Sequence, residues 1–153
     1  MNLILESPAS VPYFTDVGLI LKAIGVEIRD FDWYVSDVET NIDVPDLRAG
    51  GRWLTGEELC RVLTIDHPQF IWGVLSAVPK GMRHPVAAEP FVAGNRSYWL
   101  ASEVSPQLSG ALFEVACWDS SATLLSGLSE VQAAAFMKAF PEAKPLSEAS
   151  VGR

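Results

Sequence analysis

The clearest alternation of hydrophobic and polar positions lies in residues 108–140. Side chains alternate over residues 111–118 in the manner of a strand, and the apolar run at residues 123–125 indicates a second strand. Ser129 stands three residues before Gln132, which is the spacing of a helix-capping box. Five apolar residues then recur at helical spacing: Val131, Ala135, Phe136, Ala139 and Phe140. This stretch therefore predicts a hairpin covered by one helix.

Similar patterns predict the other elements. Strands are expected at residues 2–5, 31–38, 68–78 and 97–101, and helices at residues 12–24 and 56–63. Thr55 and Glu58 have the spacing of a second capping box, at the start of the helix at residues 56–63. Their order predicts an α+β fold with a mostly antiparallel sheet of about five to six strands and three helices packed mainly on one face. We expect a single globular domain over residues 1–140 and an irregular tail over residues 141–153.

Composition and charge restrict the class of partner. Hydrophobic residues make up 49% of the chain and charged residues 20%, which is typical of a globular protein. The longest uncharged apolar stretch, residues 70–78, is far shorter than the roughly 18 residues of a membrane span. The net charge of −8 disfavours nucleic acid and anionic membranes, because both bind basic surfaces. No basic leader precedes the first apolar residues, so we expect no signal peptide. We expect a cytoplasmic protein, because two free thiols fit a reducing compartment.

No familiar catalytic motif is present, and we predict neither a metal site nor a cofactor. His67 and His84 lack partners at ligand spacing and are interpreted as surface histidines in loops. Cys60 and Cys117 are expected to be buried free thiols. The DSS sequence at residues 119–121 is interpreted as a hairpin turn, since its short polar side chains favour one.

Glu114 lies in the middle of a predicted strand and has two possible interpretations. If its side of the strand is covered, its pKa is raised and it becomes a candidate acid or base. If that side is solvated, it is an ordinary surface carboxylate. The sequence favours the solvated position, because lone buried carboxylates are rare.

The main indication of function is a concentration of acidic and aromatic residues in the first third of the chain. Aromatic side chains surrounded by carboxylates are typical of a surface that binds a basic protein. The predicted partner-binding residues are Asp32, Trp33, Tyr34, Asp37, Glu39, Asp43, Asp46 and Trp53. The alternative is a solvated strand face beside an acidic loop, with Trp33 in the core.

A different hypothesis is a small-molecule-binding or hydrolase-like protein with a tryptophan-lined cleft, in which Glu114 acts as acid or base. The residues of this alternative pocket are Trp99, Glu114 and Trp118. A third hypothesis is a structural homo-oligomer that buries an apolar strand edge. The sequence leaves the oligomeric state open.

The segment CWDSSATLLSGLS, the AAAF and AFP that follow it, and the earlier FDWYVSDVE resemble segments of small uncharacterised bacterial proteins of similar length. Some of those proteins are encoded beside polymorphic toxins and act as their immunity partners. The resemblance covers the C-terminal third and residues 31–39, and it transfers no catalytic residue. It implies a bacterial, stand-alone domain that binds another protein. The leading expectation is therefore a non-enzymatic protein-binding domain, most concretely an immunity-type protein that neutralises a basic toxin.

Overall fold

The computed structural model describes residues 1–6, 16–48, 50–101 and 103–151, and an antiparallel sheet lies at its centre. The strands are β1 (Leu3–Leu5), β2 (Phe31–Thr40), β3 (Arg52–Thr55), β4 (Phe70–Pro79), β5 (Phe113–Trp118), β6 (Ala122–Ser126) and β7 (Lys144–Pro145). The helices are α1 (Val17–Ile24), α2 (Gly56–Arg61), α3 (Ser97–Leu100) and α4 (Glu130–Ala139). The order across the sheet is β3-β2-β4-β5-β6-β1-β7. The α+β class is confirmed, but within the described residues the sheet has seven strands and the helices number four.

Local capping signals set the ends of the longer helices. Asp16 caps α1 by accepting a hydrogen bond from Leu19 N at 3.1 Å, and Gly25 ends the helix in the left-handed conformation. Residues 12–15, the start of the predicted helix, lie outside the described residues. The predicted capping boxes of α2 and α4 are both present. Both helices therefore begin where the sequence indicates.

The predicted apolar stripe of α4 was partly wrong. Val131 is 80% exposed, and the residues that face the core are Ala133 and Phe136 of the helix together with Phe140 beyond it. Ala133, Phe136 and Phe140 are spaced by three and four positions, so they share one side of the helix. Val131 comes two positions before Ala133, which is about 200° around the helix, so it lies outside that side.

Three further expectations about elements were corrected. Residues 97–100 form α3 and not a strand, because the Asn95 side chain accepts a hydrogen bond from Ser97 N at 3.0 Å and so favours a helical turn. Strand β3 was not predicted, although it pairs Trp53 with Tyr34. The segment after residue 140 was expected to be irregular, yet it contains β7 and a 3₁₀ turn at Leu146–Glu148.

The two faces of the sheet are covered differently. Helices α1, α2 and α4 pack on one face, where Trp33, Val115 and Cys117 lie in the main core. The other face, which carries Val74 and Ala116, is covered by residues 80–101 and 103–112, here called the cover segment, and by residues 146–151. Within the described parts of the chain, no helix has the length and hydrophobicity of a transmembrane span.

Glu6, directly after β1, fastens the C-terminal segment to the sheet. Its carboxylate accepts hydrogen bonds from Ser150 N at 2.9 Å and Val151 N at 3.0 Å, and it pairs with Lys144. Burial alone raises the pKa of Glu6, but the bonds from Lys144, Val151 and Ser150 outweigh burial and lower the pKa to about 2.

We predict that Glu6→Gln lowers the free energy of unfolding at pH 7 by about 1–3 kcal/mol, because one acceptor oxygen and the ion pair are lost. The folded pKa lies below the unfolded value of 4.5, so the contribution of Glu6 is present above that pH and is lost as the pH falls toward about 2. Urea unfolding at several pH values should therefore show a steeper loss of stability in this window for the wild type than for the variant. The exposed Glu148→Gln serves as control, and equal pH slopes for wild type and Glu6→Gln would contradict the prediction.

Candidate functional site

Strand β2 separates the predicted partner-binding residues between the two sheet faces. Trp33 faces the helices, is fully buried, and donates its indole N–H to the Ile28 carbonyl oxygen at 3.0 Å. Asp32 and Tyr34 face the cover segment instead. Trp33 is therefore a core residue, which was the alternative interpretation, and it is not available to a partner.

Two carboxylates of β2 hold the cover segment in place. Asp32 accepts a hydrogen bond from Gly81 N at 2.9 Å and pairs with Arg83 at 3.3 Å. Burial acts to raise the pKa of Asp32, but the bond from Gly81 and the charge of Arg83 lower it overall. Asp37, which has a φ of 53° at a bulge in the strand, accepts hydrogen bonds from Val92 N and Ala93 N, both at 2.8 Å.

Glu114 on β5 also holds the cover segment in place. The favoured expectation of a solvated carboxylate was therefore wrong. The residue is 1% exposed. It accepts hydrogen bonds from Gln107 N at 2.6 Å and Leu108 N at 3.1 Å, and from the hydroxyl of its cross-strand neighbour Ser76. Burial raises the pKa of Glu114, and the bonds from Ser76, Gln107 and Leu108 offset only part of that rise. Both of its oxygens are occupied by protein donors.

The other predicted partner-binding residues do not form one common surface. Tyr34 donates its hydroxyl proton to Glu89 at 2.6 Å, and its ring lies 5.2 Å from that of the half-buried Trp53. Asp43 is exposed and paired with Arg48, whose hydrogen bond lowers the pKa of Asp43. Asp46 is half-buried and Glu39 is exposed. The eight residues are therefore spread over both faces of the sheet and the loop beyond β2.

Three tryptophans form a continuous aromatic surface at one end of the sheet. The ring of Trp118 lies 5.9 Å from that of Trp72 and 5.9 Å from that of Trp99, both edge to face. All three side chains are partly exposed, and we call them the tryptophan row. Glu39 is the direct cross-strand partner of Trp72, so its side chain stands on the same face.

The tryptophan row combines residues from separate predictions. Trp99 and Trp118 were expected to line one pocket and do lie together, whereas Glu114 is buried under the cover segment. Glu39 was expected to bind a partner beside Trp33, but the structure brings it next to Trp72. The sequence placed Trp72 only within the predicted strand at residues 68–78, and no local signal shows that its ring reaches the surface.

A cleft of about 340 Å³ adjoins the tryptophan row. Its lining residues include Asn2, Tyr98, Trp99, Glu103, Val104 and Leu146. Glu114 is not among the residues that line it. Trp99 and Glu114 therefore do not line this cleft together, and the predicted pocket with Glu114 as its acid or base is not found there.

The histidines and cysteines lie in separate places. His67 lies 3.2 Å from a carboxylate oxygen of Asp16, while a ring nitrogen of His84 lies 2.6 Å from the Ser109 carbonyl oxygen. Cys117 is buried, and burial raises the pKa of its thiol, whereas Cys60 is only partly buried. Among the described residues, no three His, Cys, Asp or Glu side chains come together as metal ligands.

Comparisons with protein-family models, curated proteins and solved structures found no match to this chain.

We predict that Glu114→Gln destabilises the protein at pH 7 by about 2–3 kcal/mol. The NH₂ group of glutamine would replace one carboxylate oxygen, and it cannot accept the backbone hydrogen bond that this oxygen now accepts. The raised folded pKa means that the wild type loses stability as the pH rises from 4.5 through the folded pKa, and this slope should be absent in the variant. Denaturant unfolding at a series of pH values measures both effects. The exposed Glu130→Gln is the matched control, and a Glu114→Gln protein as stable as this control would refute the structural role.

Proposed function

We propose that this protein is a non-enzymatic protein-binding domain whose partner presents basic side chains to the tryptophan row and Glu39. The observation that carries the proposal is the contact of three partly exposed indole rings on one sheet face, with an exposed carboxylate opposite Trp72 in the same ladder. Tryptophan is strongly enriched among the residues that dominate protein interfaces, because it buries a large rigid surface at low entropic cost.

The chemistry of the surface favours a basic partner. Indole faces attract guanidinium and ammonium groups, and a neighbouring carboxylate adds a charge-assisted hydrogen bond. The net charge of −8 attracts such a partner from a distance and repels acidic ones. Edge-to-face packing against Trp118 holds the rings of Trp72 and Trp99 in place before the partner binds. The partner's basic groups must therefore match the positions of these rings as well as the negative charge.

The most concrete form of this proposal is an immunity-type protein that neutralises a basic toxin. Enzymes that act on nucleic acid need a basic surface, and an acidic and aromatic surface is complementary to it. In this form, the tryptophan row would occupy the toxin's substrate-binding surface, and Glu39 would pair with a cation there.

We predict that Glu39→Lys weakens partner binding at least tenfold, because the new charge repels a basic group that the carboxylate attracted. Asp30→Lys is the matched control: Asp30 is also exposed and directly precedes the same strand, about 30 Å from Glu39. Tagged wild type and both variants would capture partners from the native host at low and moderate salt, followed by mass spectrometry and by affinity measurement with the purified partner. Circular dichroism checks that both variants fold.

The proposal is supported if one stoichiometric basic partner binds the wild type and Asp30→Lys but not Glu39→Lys. Binding of that partner should also weaken as the salt concentration rises. Trp118→Ala should abolish the same binding. Equal loss with both lysine variants would show general attraction between charges and would contradict this location of the site. If the captured partner is toxic when expressed alone, co-expression of the wild type but not of Glu39→Lys should restore growth.

A second candidate function is small-molecule binding, which the cleft beside Trp99 favours. Its volume of about 340 Å³ lies within the usual range of ligand sites, about 300–1,000 Å³. A saturable change in tryptophan fluorescence with a member of a metabolite panel, abolished in Trp99→Ala, is expected for this function. The absence of any such change across the panel would count against it.

A further inference from the structure

The cleft beside the tryptophan row shares one wall with it. The ring of Trp99 packs edge to face against that of Trp118, and Trp99 is also one of the residues that line the cleft. A second cleft of about 330 Å³ adjoins the first. The residues that line both clefts are Tyr98, Ala101, Glu103 and Val104. A side chain that enters here would therefore lie directly at the end of the tryptophan row.

The charge in these clefts has one sign. Among the described residues that line them, Glu103 is the only charged one, and none is Lys, Arg or His. Glu103 is exposed, and its carboxylate forms no ion pair within the described part of the chain. By contrast, the polar group of Asn2 is already used: its amide donates to the Val104 carbonyl oxygen at 2.5 Å and accepts from Gly127 N at 3.1 Å. The available polar group with a full charge is therefore Glu103.

We infer that this cleft receives an arginine side chain of the partner protein. The guanidinium plane stacks on an indole or phenol ring, and its edge presents two parallel N–H donors to a carboxylate. The cleft brings both kinds of residue together, since the aromatic residues Trp99 and Tyr98 and the acidic Glu103 are among the residues that line it. At about 340 Å³ it lies at the lower end of the range for ligand sites, which suits one side chain better than a cofactor.

This inference rests on the proposed function and specifies one group of its partner. The tryptophan row and Glu39 provide the broad contact, and the cleft selects arginine at one position of the partner. A lysine would keep the charge but would lose the stacking plane and the paired donors. Replacement of that arginine of the partner by lysine is therefore expected to weaken the complex.

The test uses the isolated protein and a small probe, N-acetyl-arginine-N-methylamide, followed by NMR of the tryptophan indole N–H signals. The signal of Trp99 is assigned with Trp99→Phe. We expect saturable shifts of that signal in the millimolar range, and no such shifts with the citrulline analogue, which has nearly the same shape but no charge. Glu103→Gln should weaken binding of the arginine probe about tenfold, because a charge-assisted pair is lost. Asp30→Asn, a neutralised acid on another part of the surface, should bind the probe like the wild type.

The inference is overturned by the absence of saturable shifts, by equal binding of the citrulline analogue, or by unchanged binding to Glu103→Gln. Its failure can be distinguished from failure of the proposed function. If the arginine probe does not bind but a Glu39-dependent partner is captured, only the inference about the cleft fails. If no Glu39-dependent partner is captured, the proposed function fails, whether or not the probe binds.

Discussion

The fold depends on hydrogen bonds between carboxylates of the sheet and backbone amides of the cover segment. An irregular segment packed on a sheet has no ladder of its own to satisfy its N–H groups, and a buried unpaired N–H is costly. Three carboxylates of the sheet accept hydrogen bonds from these N–H groups. Asp32 bonds Gly81 N at the start of the segment, and Asp37 bonds Val92 N and Ala93 N in its middle. Glu114 bonds Gln107 N and Leu108 N near its end. The tryptophan row exists because this second layer is fixed, since Trp99 belongs to the cover segment and the other two rings to the sheet.

This use of carboxylates changes the meaning of the net charge. The formal value of −8 counts every acidic residue equally. Asp32, Asp37, Glu114 and Glu6 already accept hydrogen bonds from the protein's own backbone, so these oxygens are not free to accept hydrogen bonds from a partner. The overall acidity can therefore attract a basic partner only from a distance, and a few exposed carboxylates in defined places, chiefly Glu39 and Glu103, would decide where that partner binds.

The sequence predicted those parts of the structure that local signals determine. Each of these signals extends over only a few positions, and each was identified: the capping residues Ser129 and Thr55, the turn at residues 119–121 and the alternation in β5. The burial of Glu114 could not be predicted in this way, because its donors belong to a segment whose path depends on the whole fold. The short strands β3 and β7, four and two residues long, carry too little periodicity to be recognised. The tryptophan row joins three distant segments, so no spacing along the chain indicates it.

The two outermost strands have a further consequence for behaviour at high concentration. Long, flat sheet edges expose rows of backbone donors and acceptors on which a second molecule can extend the sheet, which is a common route to fibrils. Among the described residues, one edge is β3, with four residues, and the other is β7, with two, one of which is Pro145. Proline lacks a backbone N–H, and so short an edge offers few sites for intermolecular pairing. The sheet is therefore poorly suited to growth by strand addition, and self-association through an apolar strand edge is the least favoured of the hypotheses raised by the sequence.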